Sequence, residues 1–198
     1  MSAFDIEGPL DDAAFGARVI LKNGAGAEAL LTAMKAQPAA LPRALSDNGG
    51  LLLVQGLHEI NARPQLLVEL SRVFGPEVED YRQTLTKSNS IHTEVPEIML
   101  VSNMAPVGKM PPPRPEPPVA ADGKLPVQYP HQLGWHTDQS YRRPPPDISL
   151  FYAVTPVARD RGQTLFADGT AAYAALPPHL KAKVDGLQGL LGRQRREA

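Results

Sequence analysis

With 198 residues, the chain is long enough for one domain with a substantial core, and its content of 42% hydrophobic and 21% charged residues is typical of a folded protein. The formal net charge of −1, without a long basic block, argues against nucleic acid and membrane surfaces as partners. The absence of cysteine excludes thiol catalysis, disulfides and cysteine-ligated metal sites. The N-terminal segment lacks the apolar core of a secretory signal and no run reaches membrane-span length, so we expect a cytoplasmic protein.

The first half of the chain is predicted to contain three helices and two strands. Two short helices are expected at 25–37 and 38–47, where apolar residues recur at helical spacing. The apolar run "GLLLVQG" indicates a buried strand, and "EIMLVSN" at 97–103 indicates another. The stretch "NARPQLLVELSRVFG" predicts the clearest helix, with Asn61 as its N-cap residue.

A proline-rich stretch separates this half from a second group of predicted strands. Residues 105–130 cannot form a regular helix, so they are interpreted as a loop or lid, or as a solvated excursion. The segments "LGWHTD", "DISLFYAV" and "QTLFAD" then predict three short strands. Residues 169–187 predict a helix that is interrupted at Pro177.

His136 and Asp138 are the first candidates for a metal site. On a strand, residues two apart point to the same face, so the imidazole and the carboxylate would project together. Such a pair supplies two corners of the 2-His-1-carboxylate triad that binds non-haem Fe(II). On the spacing alone, however, a histidine paired with its neighbouring aspartate in an ion pair is the favoured interpretation.

The context of this pair resembles a known family. The stretch "WHTDQSYRRPPPDISLFYAVTPVARDRGQTLFADGTAAYAAL" resembles the TauD/TfdA family of Fe(II)- and 2-oxoglutarate-dependent dioxygenases, and the similarity extends from about Asp47 to Leu187. The resemblance implies an α+β, mainly β fold, a double-stranded β-helix (jelly roll, clavaminate synthase-like) with flanking helices. It also implies that His136 and Asp138 ligate iron and that Thr164 contacts 2-oxoglutarate. Without the family context, Thr164 would be a β-branched residue favoured in a strand.

The resemblance also suggests substrate contacts, at His92 and Asn103. Both have simpler interpretations, since His92 could be a surface-loop histidine and Asn103 could serve turn chemistry. One departure from the family lies just before Thr164. Relatives have Gly-Gly-Asp-Thr there, whereas this chain has Arg-Gly-Gln-Thr at 161–164.

Two further family features are expected to be missing. Members carry a second iron-binding histidine far downstream and an arginine that grips the distal carboxylate of 2-oxoglutarate. No histidine follows His179, and the tail turns basic, so we expect a β-helix that is incomplete at the C-terminus. The chain is then a single truncated domain, 1–198, with a helical part at 1–46, the loop or lid at 105–130 and an iron-strand region at 131–190.

The resulting expectation is a dioxygenase that hydroxylates a small organic acid with Fe(II) and 2-oxoglutarate. One alternative is a non-catalytic remnant or interaction module of the same fold, and another is a half-enzyme completed by a partner. Neither nucleic acid nor membrane is an expected partner. Self-association through exposed sheet edges is expected, because a truncated β-helix leaves strands unpaired.

Overall fold

The computed structural model describes residues 3–10, 15–84, 86, 88–101, 135–140, 142, 144–156 and 164–187. The chain divides into two compact units. The first, here called the N-terminal unit, comprises Met1–Met104 and Leu150–Val154. The second, here called the C-terminal unit, comprises Ala105–Ser149 and Thr155–Ala198.

A small mixed sheet forms one side of the N-terminal unit. It has the order β1-β2-β3, with bounds Phe4–Glu7, Ala17–Leu21 and Leu52–Val54. Strand β1 runs antiparallel to β2, and β3 runs parallel to β2. Gly16 opens β2 at φ +83°, and a side chain there would meet Leu10, so this position requires glycine.

Three helices and three 3₁₀ turns are also present among the described residues of this unit. The helices are α1 (Ala27–Ala36), α2 (Ala40–Asp47) and α3 (Gln65–Ser71), and the 3₁₀ turns span His58–Asn61, Tyr81–Gln83 and Ser88–Ser90. Each of these helices contributes apolar side chains to a shared core. The core that results contains Phe4, Val19, Ala27, Leu30, Met34, Leu41, Ile60, Leu66 and Leu70.

The start of α1 is capped from a distant part of the sequence. Gly26, its N-cap residue, has no side chain to offer, and the Glu59 Oε2 instead accepts a hydrogen bond from Ala27 N at 2.8 Å. The carboxylate lies so close that a Cβ on Gly26 would be 2.1 Å from its oxygens. The Glu59 carboxylate thus accepts a hydrogen bond from an N–H group that has no acceptor within α1. It lies at the helix N-terminus, where the helix dipole favours negative charge.

The C-terminal unit contains two short helices among its described residues, α4 (Gly169–Ala174) and α5 (Pro178–Val184). Asp168 caps α4, since its Oδ1 accepts from Thr170 N at 2.8 Å and from Ala171 N at 3.0 Å. The break between them lies at Ala175–Pro177, as the prolines predicted. No helix in the described ranges is long and apolar enough to cross a membrane.

The helix predictions are confirmed, but several details of the strands are wrong. The strand in "GLLLVQG" is present as β3, whereas β1 and β2 were not predicted. Within "EIMLVSN", the described residues 97–101 contain only an isolated bridge between Met99 and Ile91. Asn61 does not cap α3: Pro64 occupies that position, and Asn61 ends the preceding 3₁₀ turn.

The three strands predicted after the proline-rich stretch are also not formed by the residues that the structure describes. Trp135–Asp138 lies in a bend and turn, and the residues 147–154 and 164–168 are irregular and form no strand. Apolar composition makes these segments suitable for strands, but a strand exists only when a neighbour supplies its hydrogen bonds. The described part of the chain is thus a three-stranded mixed sheet with helices, an α+β arrangement, and a double-stranded β-helix is not assembled in it.

Candidate metal site

His136 and Asp138 lie next to each other in an exposed turn. His136 Nε2 is 3.2 Å from Asp138 Oδ1, and the two side chains are 63% and 70% exposed. The predicted pairing of these side chains is therefore present, although the strand that was expected to produce it is not. A turn holds them together instead: Gln139 adopts φ +51°, and Gln139 O accepts a hydrogen bond from Arg142 N at 2.9 Å.

The separation of these two atoms is compatible with a shared metal ion. With metal–ligand bonds of about 2.1 Å, two donors at a right angle lie roughly 3 Å apart. The same 3.2 Å is also a normal distance for the ion pair that the sequence favoured as the alternative. An imidazole and a carboxylate suit Fe(II), so the pair fits two adjacent coordination positions.

No third ligand accompanies the pair among the residues that the structure describes. Within these ranges no group of three His, Cys, Asp or Glu side chains is arranged to hold a metal ion. Arg142 lies at the end of the same turn, where its Nη1 donates to Gln139 Oε1 at 3.0 Å. The pair therefore supplies two donors, and the Arg142 guanidinium is held at the end of the turn that follows it.

Thr164, the predicted 2-oxoglutarate contact, is exposed and begins the extended segment that leads to α4. Because the Thr164 side chain is exposed, a small molecule can approach it. The distinctive residues immediately before it, 161–163, fall outside the described ranges. The structure thus leaves the role of Thr164 as a prediction.

His92 has a structural role that composition did not reveal. Its Nδ1 accepts hydrogen bonds from the backbone N–H groups of Glu94 and Val95, both at 3.2 Å. Its own backbone N–H donates to Ile98 O at 2.9 Å, which closes a loop between Ser90 and Leu100. A nitrogen that accepts carries no proton, so the ring can offer only its Nε2–H to a ligand. Asn103 is not among the described residues.

Two polar contacts in the N-terminal unit were missed at the sequence level. Tyr152 OH donates to Asn61 Oδ1 at 2.9 Å and to Leu57 O at 3.3 Å, although 91 residues separate Tyr152 from Asn61. Arg82 binds both carboxylate oxygens of Asp80, and this hydrogen bonding lowers the pKa of Asp80 to about 2. The Asp-x-Arg spacing could have indicated the second contact, whereas no local pattern indicates the first.

Comparison with known proteins places the chain among oxygenases. The family model described as "Taurine catabolism dioxygenase TauD, TfdA family" matches residues 11–195. An alpha-ketoglutarate-dependent 2,4-dichlorophenoxyacetate dioxygenase of Cupriavidus pinatubonensis is 41% identical over 54 residues, which cover 27% of this chain and 18% of that protein. Pentalenolactone F synthase of Streptomyces arenae is 29% identical over 97 residues, which cover 49% of this chain and 28% of that protein.

The chain therefore spans less than a third of the length of these curated relatives in the aligned segments. No solved structure matches it.

Proposed function

Because the chain belongs to the TauD/TfdA family of dioxygenases, we propose that it acts in the Fe(II)- and 2-oxoglutarate-dependent hydroxylation of a small organic acid. The observation that carries this proposal is the approach of His136 Nε2 to Asp138 Oδ1, at 3.2 Å, inside the matched region. The proposal includes the family's double-stranded β-helix as the fold of a single domain at 1–198, and the loop or lid predicted at 105–130 lies outside the described residues.

In this proposal, His136 and Asp138 hold the iron. The neutral imidazole donates a lone pair through Nε2, and the carboxylate contributes a negative charge that offsets part of the ion's charge. Both side chains are accessible, so an ion can enter without rearrangement of the chain. The hydrogen bond from Arg142 N to Gln139 O closes a turn directly after the pair.

Thr164 is proposed to donate a hydroxyl hydrogen bond to a carboxylate of 2-oxoglutarate. His92, through Nε2–H, and Asn103 are proposed to contact the substrate, and a single N–H donor suits an oxygen acceptor such as a carboxylate. When bound together, iron and 2-oxoglutarate supply the O₂-dependent oxidation of a C–H bond. The role proposed for the protein residues is to hold and orient these small molecules.

A non-catalytic role is the second candidate, and a specific observation favours it. In the described part of the chain, the pair lacks a third ligand, and the described residues of the C-terminal unit include no buried side chain. A two-ligand site binds metal less tightly than a three-ligand site, and an exposed site does not exclude water. The half-enzyme completed by a partner is a third candidate, in which the missing ligand comes from another chain and the completed site is catalytic.

The first test is an anaerobic titration of the chain with Fe(II), in which calorimetry measures the binding. We expect weak binding that is lost in His136→Ala and in Asp138→Ala, because each removes one of two donors. His179→Ala is the matched control, since His179 is an exposed histidine in α5. Binding that is equal in all four proteins would place any metal site elsewhere.

The second test separates the two candidate functions. Chain loaded with Fe(II) is supplied with 2-oxoglutarate, ascorbate and O₂, and succinate is measured by mass spectrometry. O₂-dependent succinate that disappears in Asp138→Ala and falls in Thr164→Ala supports the dioxygenase. Iron binding at the pair without succinate supports the non-catalytic role.

A further inference from the structure

The loop that carries His92 has two short arms, which backbone hydrogen bonds hold antiparallel. His92 N donates to Ile98 O at 2.9 Å, and Leu100 N donates to Ser90 O at 2.8 Å. At the tip of the loop, Ile98 N donates to Val95 O at 3.0 Å and closes a turn. The backbone that carries the His92 ring is therefore held in place by the opposite arm.

Val95 anchors this loop to the N-terminal unit. Its side chain is only 4% exposed, although the two residues before it are exposed. The next residue adds a second attachment, because Pro96 O accepts a hydrogen bond from Tyr81 N at 3.0 Å. The tip of the loop is thus attached to the rest of the unit at two consecutive residues.

The His92 ring is held by the same part of the loop. The backbone N–H groups of Glu94 and Val95 both point to Nδ1, at 3.2 Å, so this nitrogen uses its lone pair as an acceptor. In a neutral imidazole the proton then resides on Nε2. The other tautomer is excluded, because a proton on Nδ1 would face two N–H groups.

We infer that Val95 is a positioning residue for His92, and that together with Glu94 it fixes the ring as a donor through Nε2–H. The buried side chain of Val95 holds in place a backbone N–H that the ring accepts, so the fold sets the orientation and the tautomer before any ligand binds. A donor that is ordered in advance loses little conformational freedom on binding. The inference rests on the proposed function only for the contact between His92 and the substrate.

The same lock has a consequence for the iron. Histidine ligates a metal ion through a ring nitrogen that carries no proton. In His92, Nδ1 already accepts from two N–H groups and Nε2 carries the proton, so neither nitrogen is available to a metal. His92 therefore does not serve as the third ligand beside His136 and Asp138, and the group that it can bind is an oxygen acceptor.

The experiment is ¹⁵N NMR of the histidine rings in the 198-residue chain without metal, at about pH 8, where histidine is ordinarily neutral. We expect His92 to show the two well-separated ring-nitrogen resonances of a single Nε2–H tautomer. His179, an exposed histidine in α5, is the control and should show shifts averaged between tautomers. In Val95→Ala the His92 shifts should move towards those of His179, whereas Val101→Ala, at an exposed valine of the same unit, should leave them unchanged.

Two substitutions at His92 separate the roles of its two nitrogens. His92→Asn keeps an acceptor near the position of Nδ1, and His92→Gln keeps an N–H donor near that of Nε2. Amide hydrogen exchange at Glu94 and Val95 should be roughly tenfold faster in His92→Gln than in the wild type, because a hydrogen bond contributes about that factor, and His92→Asn should restore slow exchange. Fe(II) binding, measured by calorimetry, should be the same in both variants as in the wild type.

An averaged tautomer at His92 in the wild type, His92 shifts that do not respond to Val95→Ala, or loss of Fe(II) binding in His92→Gln would each overturn the inference. If Val95→Ala unfolds the chain, the exchange measurements decide, and equal exchange in His92→Asn and His92→Gln overturns it. A chain that shows the fixed ring but forms no succinate would refute the proposed function and leave this inference standing.

Discussion

The two units differ in what holds their described residues in place. All thirteen buried apolar side chains, from Phe4 to Val95, belong to the N-terminal unit, whereas no described residue of the C-terminal unit is buried. The side-chain hydrogen bonds of the described residues follow the same division. Glu59 reaches Ala27 across 32 residues and Tyr152 reaches Asn61 across 91. In the described part of the C-terminal unit, by contrast, Tyr173 bonds to Asp185 across 12 residues and His136 pairs with Asp138 across two.

This contrast shows where the proposed site lies relative to the buried core. The His-x-Asp pair and Thr164 are in the C-terminal unit, whose described residues are held by caps, turns and local pairs. Local contacts can place two side chains 3.2 Å apart, but a third ligand must come from a distant part of a fold. The pair therefore forms without the sheet that was expected to carry it.

The largest effect expected from this contrast is a difference between two leucine truncations. Leu30 in α1 is 1% exposed, so Leu30→Ala should lower the free energy of unfolding by about 2–5 kcal/mol. Leu187, in the C-terminal unit, is 72% exposed, and Leu187→Ala should change it by less than about 0.5 kcal/mol. Urea unfolding followed by circular dichroism measures both. Equal losses would mean that Leu187 is buried in solution.

An intermediate effect is expected at the remote cap of α1. Glu59→Ala leaves Ala27 N without its acceptor and removes the negative charge at the helix start, so it should cost about 1–2 kcal/mol. Gly26→Ala should destabilise as well, because its Cβ would collide with the Glu59 carboxylate. In the double variant the collision is gone. Its loss of unfolding free energy should therefore be smaller than the sum of the losses in the two single variants.

Glu77→Ala is the control for this cap, since Glu77 is an exposed glutamate of the same unit. Its unfolding midpoint should match the wild type. If Glu77→Ala and Glu59→Ala behaved alike, general loss of charge rather than capping would explain the result.

The helices of both units could be predicted from the sequence because their signals are local. In α1, Ala27, Leu30 and Met34 recur at helical spacing, and Pro177 marks the break before α5. The strands were harder, since pairing depends on residues far apart. Strand β2 was missed although "ARVIL" contains adjacent β-branched residues, and "DISLFYAV" was predicted as a strand but lacks partners in the described ranges.

The candidate site shows the same limit. The spacing of His136 and Asp138 predicted two donors that lie together, although a turn rather than a strand achieves it. The Nδ1 contacts of His92 with Glu94 and Val95 could not be predicted, because they depend on ring orientation and backbone path rather than on composition. The sequence alone thus identified the His136–Asp138 pair, but it did not predict the contacts that surround each candidate residue.

The smallest expected effect is a pH dependence at Asp80, a local pair within the unit that has a core. Hydrogen bonds from the Arg82 side chain lower the pKa of Asp80 from 3.8 to about 2. Because the folded pKa is below the unfolded one, the contribution to stability is present above about pH 4 and is lost as the pH falls towards about 2. Arg82 is largely exposed, so solvent screens the pair and the contribution is small.

Arg82→Gln should move the carboxyl titration of Asp80, followed by NMR, back towards its ordinary range, while Arg72→Gln should not. A titration midpoint that stays low in Arg82→Gln would assign the shift to the backbone N–H of residue 82, which also donates to Asp80.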